Sequence, residues 1–175
     1  MGNRAVITMV EKEGENFFDN AGIYLHWNGG SESVRNFLLY AKMQNMEHCQ
    51  DYALARLTQV IGNYFGGTLS IGIGVVKEMD FNNSDNGLYI VDNRFNIIEN
   101  VSFIEHDEND PLWDELPLIK LLEAGIMEKV QRDIEPYDKE FDIQFLKDIN
   151  SSQPKQYQFN VRTMRKLYKE LTATK

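Results

Sequence analysis

Apolar and polar positions alternate with changing period along this chain, and each change predicts an element. Arg4–Val10 (RAVITMV) is apolar and β-branched, which predicts a strand, and the polar run Glu11–Asn20 predicts a loop after it. Gly22–Trp27 alternates and is aromatic, a second strand, ended by Asn28-Gly29-Gly30. Ser31 or Ser33 is then the expected N-cap of a helix with an apolar face of Val34, Phe37, Leu38, Ala41 and Met46. Asp51 is the expected cap of a second helix. Its Ala53, Leu54, Leu57, Val60, Ile61, Tyr64 and Phe65 keep the 3.6-residue period, with Arg56, Gln59 and Asn63 opposite and Gly66-Gly67 as the stop.

Thr68–Val76 predicts a strand with Leu69, Ile71, Ile73 and Val75 on one face and Thr68, Ser70, Gly72, Gly74 and Val76 on the other. Glycines at alternate positions call for something packed against them, and a helix is the expected occupant, with a ligand or partner peptide as the alternative. A polar turn at Asn82–Asn86 leads to strands at Gly87–Val91 and Phe95–Ile104, joined as a hairpin by Asp92-Asn93-Arg94. The later pattern is helical: Asp110 capping Pro111, a short helix from Pro117 to Ala124 stopped near Gly125, another turn or more through Ile126, Met127, Val130 and Ile134, and a helix over Asp142–Asn150. Tyr157, Phe159 and Val161 then alternate as in a strand, before a helix from about Arg162 to Thr172. These elements predict an α+β fold, a mostly antiparallel sheet packed with helices, as a single domain with a helical C-terminal part. The expected core domain is 1–150, including an acidic helical segment over 105–150. A basic strand/helix appendage at 151–175 follows a hinge at Ser151-Ser152-Gln153-Pro154.

Composition excludes some classes. An apolar fraction of 42% in 175 residues is too high for a disordered chain and suffices for one core. No run approaches the length of a membrane span, and the first residues lack the apolar stretch of a signal peptide. Cys49 is the only cysteine, so no internal disulfide forms. A cytoplasmic protein is the expectation.

Charge changes the picture more. The net charge of −9 divides into 5 basic and 7 acidic side chains over 1–76, 7 and 19 over 77–149, and 6 and 1 over 150–175. The middle is strongly acidic and the tail basic. Glu105, Asp107, Glu108, Asp110, Asp114 and Glu115 are the densest acidic stretch, and Arg162, Arg165, Lys166 and Lys169 form a basic stripe opposite Met164, Leu167, Tyr168 and Leu171. Carboxylates spaced like phosphates fit a basic channel, and a basic stripe fits nucleic acid or an anionic surface. The plain alternative is that tail and middle pair with one another.

Recognisable catalysis is missing from the pattern. His26, His48 and His106 lack zinc spacing, Asp80–Gly87 fails both registers of a calcium loop, and Gly72-Ile73-Gly74 lacks the third glycine of a dinucleotide fingerprint. Cys49 beside His48 reads as a half-buried thiol, because helical neighbours point about 100° apart. No catalytic residue, metal or cofactor is expected. His26, Trp27, Asn28, Gly29, Gly30 and Ser31 are the most site-like turn, where free backbone N–H groups at a helix start suit an anion or nucleotide.

The segments Gly2–Thr8 (GNRAVIT), Ile23–Gly30 (IYLHWNGG), Ala55–Gly67 (ARLTQVIGNYFGG) and Leu69–Gly74 (LSIGIG) together resemble a family of small proteins common in phages, prophages and bacterial mobile elements, mostly without an assigned function. The resemblance covers roughly residues 2–92 and transfers no residue roles. It implies an anti-defence inhibitor, such as an anti-CRISPR protein directed at a Cas9-type nuclease or its guide RNA complex. The acidic stretch would supply contacts and the basic tail would be free to touch nucleic acid. A small-ligand protein using the His26–Ser31 turn and an accessory nucleic-acid-binding protein using the C-terminal helix remain open.

Overall fold

Strand β1 (Ala5–Val10) is buried along its whole length because both faces of the sheet it centres are covered. The computed structural model describes residues 3–67, 70–80, 85–107 and 109–173. β2 (Ala21–Leu25) pairs antiparallel with one side of β1, and β4 (Leu88–Asp92) pairs parallel with the other. β3 (Ile71–Val75) extends the sheet beyond β2. β5 (Ile97–Glu105) and β6 (Met127–Gln131) extend it beyond β4, all antiparallel, in the order β3-β2-β1-β4-β5-β6. The fold is α+β with a mostly antiparallel sheet, as the alternation of periods predicts.

Alternate side chains divide the core. Ala5, Ile7, Met9, Ile23, Leu25, Tyr89 and Val91 face a layer of four helices, α1 (Ser31–Met43), α2 (Gln50–Tyr64), α4 (Lys139–Ser152) and α5 (Val161–Thr172). Val6, Val10, Leu88, Ile90, Val101 and Phe103 face the other way, under Phe17, Phe18, Val76 and the short helix α3 (Leu118–Glu123). Gly29 makes the β2–α1 connection possible: a Cβ there would lie 2.6 Å from the carbonyl carbon of Arg4.

The helix layer is held by one buried carboxylate. Asp142 on α4 has no exposed surface and accepts hydrogen bonds from Asn36 Nδ2 of α1 at 2.6 Å and from the Tyr168 hydroxyl of α5 at 2.9 Å. Arg35 Nη2 of α1 lies 3.4 Å away and balances the charge. Arg35 also donates to the carbonyls of Glu135 and Pro136 and lies 4.1 Å over the Tyr137 ring, which fastens the β6–α4 connection to α1. Burial and the bond to Asp142 push the Tyr168 hydroxyl well above the ordinary phenol range.

Several elements differ from the reading of the sequence. Residues 126–134 contain the strand β6, not a helix, because Met127–Gln131 completes the ladder of β5. Gly30, not Ser31 or Ser33, is the N-cap of α1, and the Ser31 hydroxyl instead accepts from Glu135 N at 3.1 Å. Cys49 rather than Asp51 precedes α2, with Asp51 in its first turn. Met46 lies beyond the end of α1 at Met43. β3 begins at Ile71 and Val76 turns into a short 3₁₀ segment; Thr68 and Leu69 lie outside the described residues. Among the described residues no helix covers the Gly72/Gly74 face. A Cβ at Gly74 would lie 3.4 Å from Met79 and one at Gly72 would lie 3.7 Å from Tyr24, so Met79 and Tyr24 fill that side. Asp110–Pro111 opens turns and not a helix.

The Tyr157–Val161 alternation does not form a strand: Lys155–Tyr157 is a 3₁₀ turn and Asn160 caps α5. Gln153, in the expected hinge, is buried and donates to Val60 O of α2 at 3.1 Å. The turn predicted at Asn82–Asn86 falls partly on residues 82–84, which lie outside the described residues.

Removing Asp142 leaves Arg35 buried without its counter-charge. Asp142→Ala should therefore lower the unfolding free energy by about 3 kcal/mol in urea titration. Asp148→Ala, exposed on the same helix, should change it by less than about 0.5 kcal/mol. Equal midpoints for the two variants would contradict a structural role for the network.

Candidate functional site

The acidic stretch is carried out of the sheet by the end of β5. Glu105 is the last strand residue, opposite Met127, and His106 N donates to Ile126 O at 2.9 Å. From there the chain is shaped by its own carboxylates: Asp107 Oδ1 accepts from Asn109 N at 3.0 Å and Asp110 Oδ1 from Leu112 N at 2.8 Å. Trp113 and Leu116 turn inward against the cluster that includes Leu121, so Asp114 and Glu115 between them point outward. Glu105, Asp107, Asp114 and Glu115 are exposed and Asp110 is half-buried. Among the described residues none of these five forms a salt bridge; Glu108 lies outside them. His106 Nε2 lies 3.0 Å from Glu128 Oε2. Leu112 stands 42% exposed among the carboxylates, a single apolar contact point.

The basic stripe is set by the amphipathic pattern of α5. Asn160 accepts from Thr163 N and starts the helix, and Met164 and Tyr168 are buried one turn apart. That leaves Arg162, Arg165, Lys166 and Lys169 exposed on the other side. Among the described residues their one ion pair is within the helix, Lys166 to Glu170 at 3.6 Å. The structure does not bring tail and acidic stretch together. α5 lies in the helix layer with α1 and α4, while Trp113 and Leu116 belong to the cluster on the opposite face of the sheet.

Reading the sequence missed α4 as a second wall. Lys139 and Lys147 of α4 face Arg165 and Lys169 of α5 across an open groove of about 700 Å³, floored by Ile143 and Tyr168. The signal was available: Lys139, Ile143 and Lys147 recur every four residues and share one helix face.

The His26–Ser31 turn is differently committed. Gly29 N donates to Asn3 O at 2.7 Å, Asn28 takes a positive φ of 57°, and its Nδ2 lies 3.5 Å from Ser33 Oγ. His26 and Trp27 are exposed and meet edge-on at 5.0 Å, with the Tyr24 hydroxyl 3.3 Å from His26 Nδ1. Ser31, Glu32, Asp133, Glu135 and Arg132 line a polar recess of about 260 Å³ at the start of α1. Burial, then the nearby Glu135, hold the Glu32 carboxyl above its usual range. An anion seated there would meet three carboxylates against one guanidinium, which works against the helix dipole.

Cys49 is exposed, not half-buried, and its Sγ lies 3.1 Å from His48 Nδ1. The two residues precede α2, so the angular separation of helical neighbours does not apply to them. Among the described residues no group of three or more His, Cys, Asp or Glu side chains is arranged to hold a metal ion, and no helix is long and apolar enough to cross a membrane. Comparison with protein-family models, curated proteins and solved structures finds no match to this chain.

Because Asp114 and Glu115 are exposed and make no salt bridge among the described residues, reversing them should not disturb the fold. Asp114→Lys and Glu115→Lys together should leave the unfolding free energy within about 0.5 kcal/mol of the parent in urea titration. A loss of more than about 2 kcal/mol would mean that these carboxylates are paired in solution after all.

Proposed function

We propose that this chain is a non-enzymatic anti-defence inhibitor that acts in the bacterial cytoplasm by binding a Cas9-type nuclease through its acidic surface. The observation that carries this reading is the state of Glu105, Asp107, Asp110, Asp114 and Glu115. They sit on one segment, anchored from below by Trp113 and Leu116, and none is neutralised by a cation among the described residues. A carboxylate row held in place and left uncompensated is steered toward positive surfaces, and Cas9-type effectors hold guide and target in positively charged channels. Occupying such a channel requires no bond to be made or broken. Exposed Leu112 adds an apolar contact in the middle of the charged row, the arrangement of a small anchor with a polar rim. The resemblance expected of residues 2–92 to proteins of phages and mobile elements would supply the biological setting of this role.

The test is co-purification with a Cas9-type nuclease, with and without guide RNA, followed by DNA cleavage at increasing inhibitor. The parent should bind and suppress cleavage. Asp107→Lys, Asp114→Lys and Glu115→Lys combined should weaken binding by about tenfold or more, and added salt should weaken the parent likewise. No complex at low salt, or an unchanged affinity for the triple variant, would refute the reading.

A further inference from the structure

The groove between α4 and α5 is a cationic site in an acidic protein. Four cations border it, Lys139 and Lys147 from one helix and Arg165 and Lys169 from the other, with Glu140 as the one carboxylate in its lining. The chain has 27 Asp and Glu residues. Yet among the described residues none of these four cations makes an ion pair or a side-chain hydrogen bond. Asp148, the carboxylate next to Lys147 on α4, is engaged by Gln144 Nε2 at 3.0 Å. Lys139 is the first residue of α4, at the positive end of the helix dipole, where a cation costs stability. Lys139 also borders a recess lined by Glu32, Glu135 and Asp138, which makes it the least cationic end of the groove.

We infer that this groove binds the phosphodiester backbone of a nucleic acid. The lining chemistry matches phosphate contacts through its lysine and arginine heads, while the Thr172 hydroxyl is spent on Tyr168 O and the Gln144 amide on Asp148. Helical rise puts Lys139 and Lys147 about 12 Å apart on one wall and Arg165 and Lys169 about 6 Å apart on the other, so the charges form two rows along the groove rather than one point. A row of cations fits a ligand with repeated charges. The floor supplies no base stacking, since Tyr168 is only 6% exposed and its hydroxyl is committed to Asp142. Contacts confined to the backbone give binding that ignores sequence and depends strongly on salt. The aliphatic stems of the lysines account for an apolar lining without calling for an apolar ligand. Arg162 and Lys166 belong to the same basic helix but are not in the groove lining, which separates this site from a simple stripe along α5. The inference does not depend on the inhibitor reading, because the groove and the acidic stretch lie on opposite sides of the sheet.

Fluorescence anisotropy with labelled dT and dA oligomers of about 20 nucleotides tests the assignment on the full chain. The parent should bind both within about threefold of each other at about 50 mM salt, with log K falling against log salt at a slope no steeper than about −3. Lys139→Gln with Lys147→Gln should weaken binding by about tenfold or more and make the slope shallower by about 1.4. Arg162→Gln with Lys166→Gln should leave the affinity within about threefold. Circular dichroism melts of both pairs should match the parent, since none of the four groove cations holds the fold. Absence of binding, equal loss in the two paired variants, or no loss in the α4 pair would overturn the groove assignment. A strong preference for dA would overturn backbone-only recognition. Displacement of the oligomer by poly-glutamate as effectively as by unlabelled dT would reassign the groove to an acidic protein.

Discussion

The arrangement of α1, α4 and α5 depends on a single buried contact, Asp142 of α4 between Arg35 and Asn36 of α1 and the hydroxyl of Tyr168 on α5. A buried carboxylate is costly unless every partner is in place, so the contact selects one arrangement of three helices more than it adds to stability. Apolar packing alone would tolerate small rotations of α4 and α5 over the sheet. The bond from Tyr168 fixes the rotation of α5 so that Met164 faces the core and Arg165 and Lys169 face α4. The same carboxylate fixes α4 so that Lys139 and Lys147 face α5. The cationic groove is therefore a consequence of the buried network, and its floor residue Tyr168 belongs to both.

On the other face of the sheet, a different constraint places the acidic stretch. β5 and β6 end together at Glu105 and Met127, and the connection between them must cross back over the second core cluster. Trp113 and Leu116 pack against that cluster, which leaves Glu105, Asp107, Asp114 and Glu115 in solvent and Asp110 half-buried. The dense acidic stretch 105–115 and the basic helix α5 thus lie on opposite faces of the sheet, although α4, the end of the acidic middle, packs beside α5. Charge that could have cancelled within the molecule is instead presented at two surfaces, one suited to a basic protein and one to a polyanion.

Much of the frame was legible in the chain. β1 is rich in β-branched residues, α2 keeps the 3.6-residue period over its whole length, and Gly66 and Gly67 stop it with positive φ angles of 66° and 73°. β6 was not legible, because Ile126, Met127, Val130 and Ile134 fit a helical period as well as a strand one; only pairing with β5 decides between them. Cap positions were misread where tertiary contacts claimed the side chain: Ser31 serves the backbone of Glu135, which no local rule contains. Asp142 reads as an ordinary surface residue on an amphipathic helix. Its burial is hinted at only by Arg35 and Asn36 interrupting the apolar positions of α1, three residues whose meeting is a long-range event. The acidic stretch and α5 stripe were visible as charge, whereas the second wall of the groove required the packing angle of α4 against α5.

Hydrogen exchange of a Tyr168→Phe variant tests most directly whether the buried network holds the helix layer in this arrangement. If it does, amides of α5 between Met164 and Thr172 should exchange about tenfold faster or more than in the parent, while those of β1 and β4 keep their protection. Unchanged protection in α5, with the hydroxyl removed from Asp142, would contradict the account.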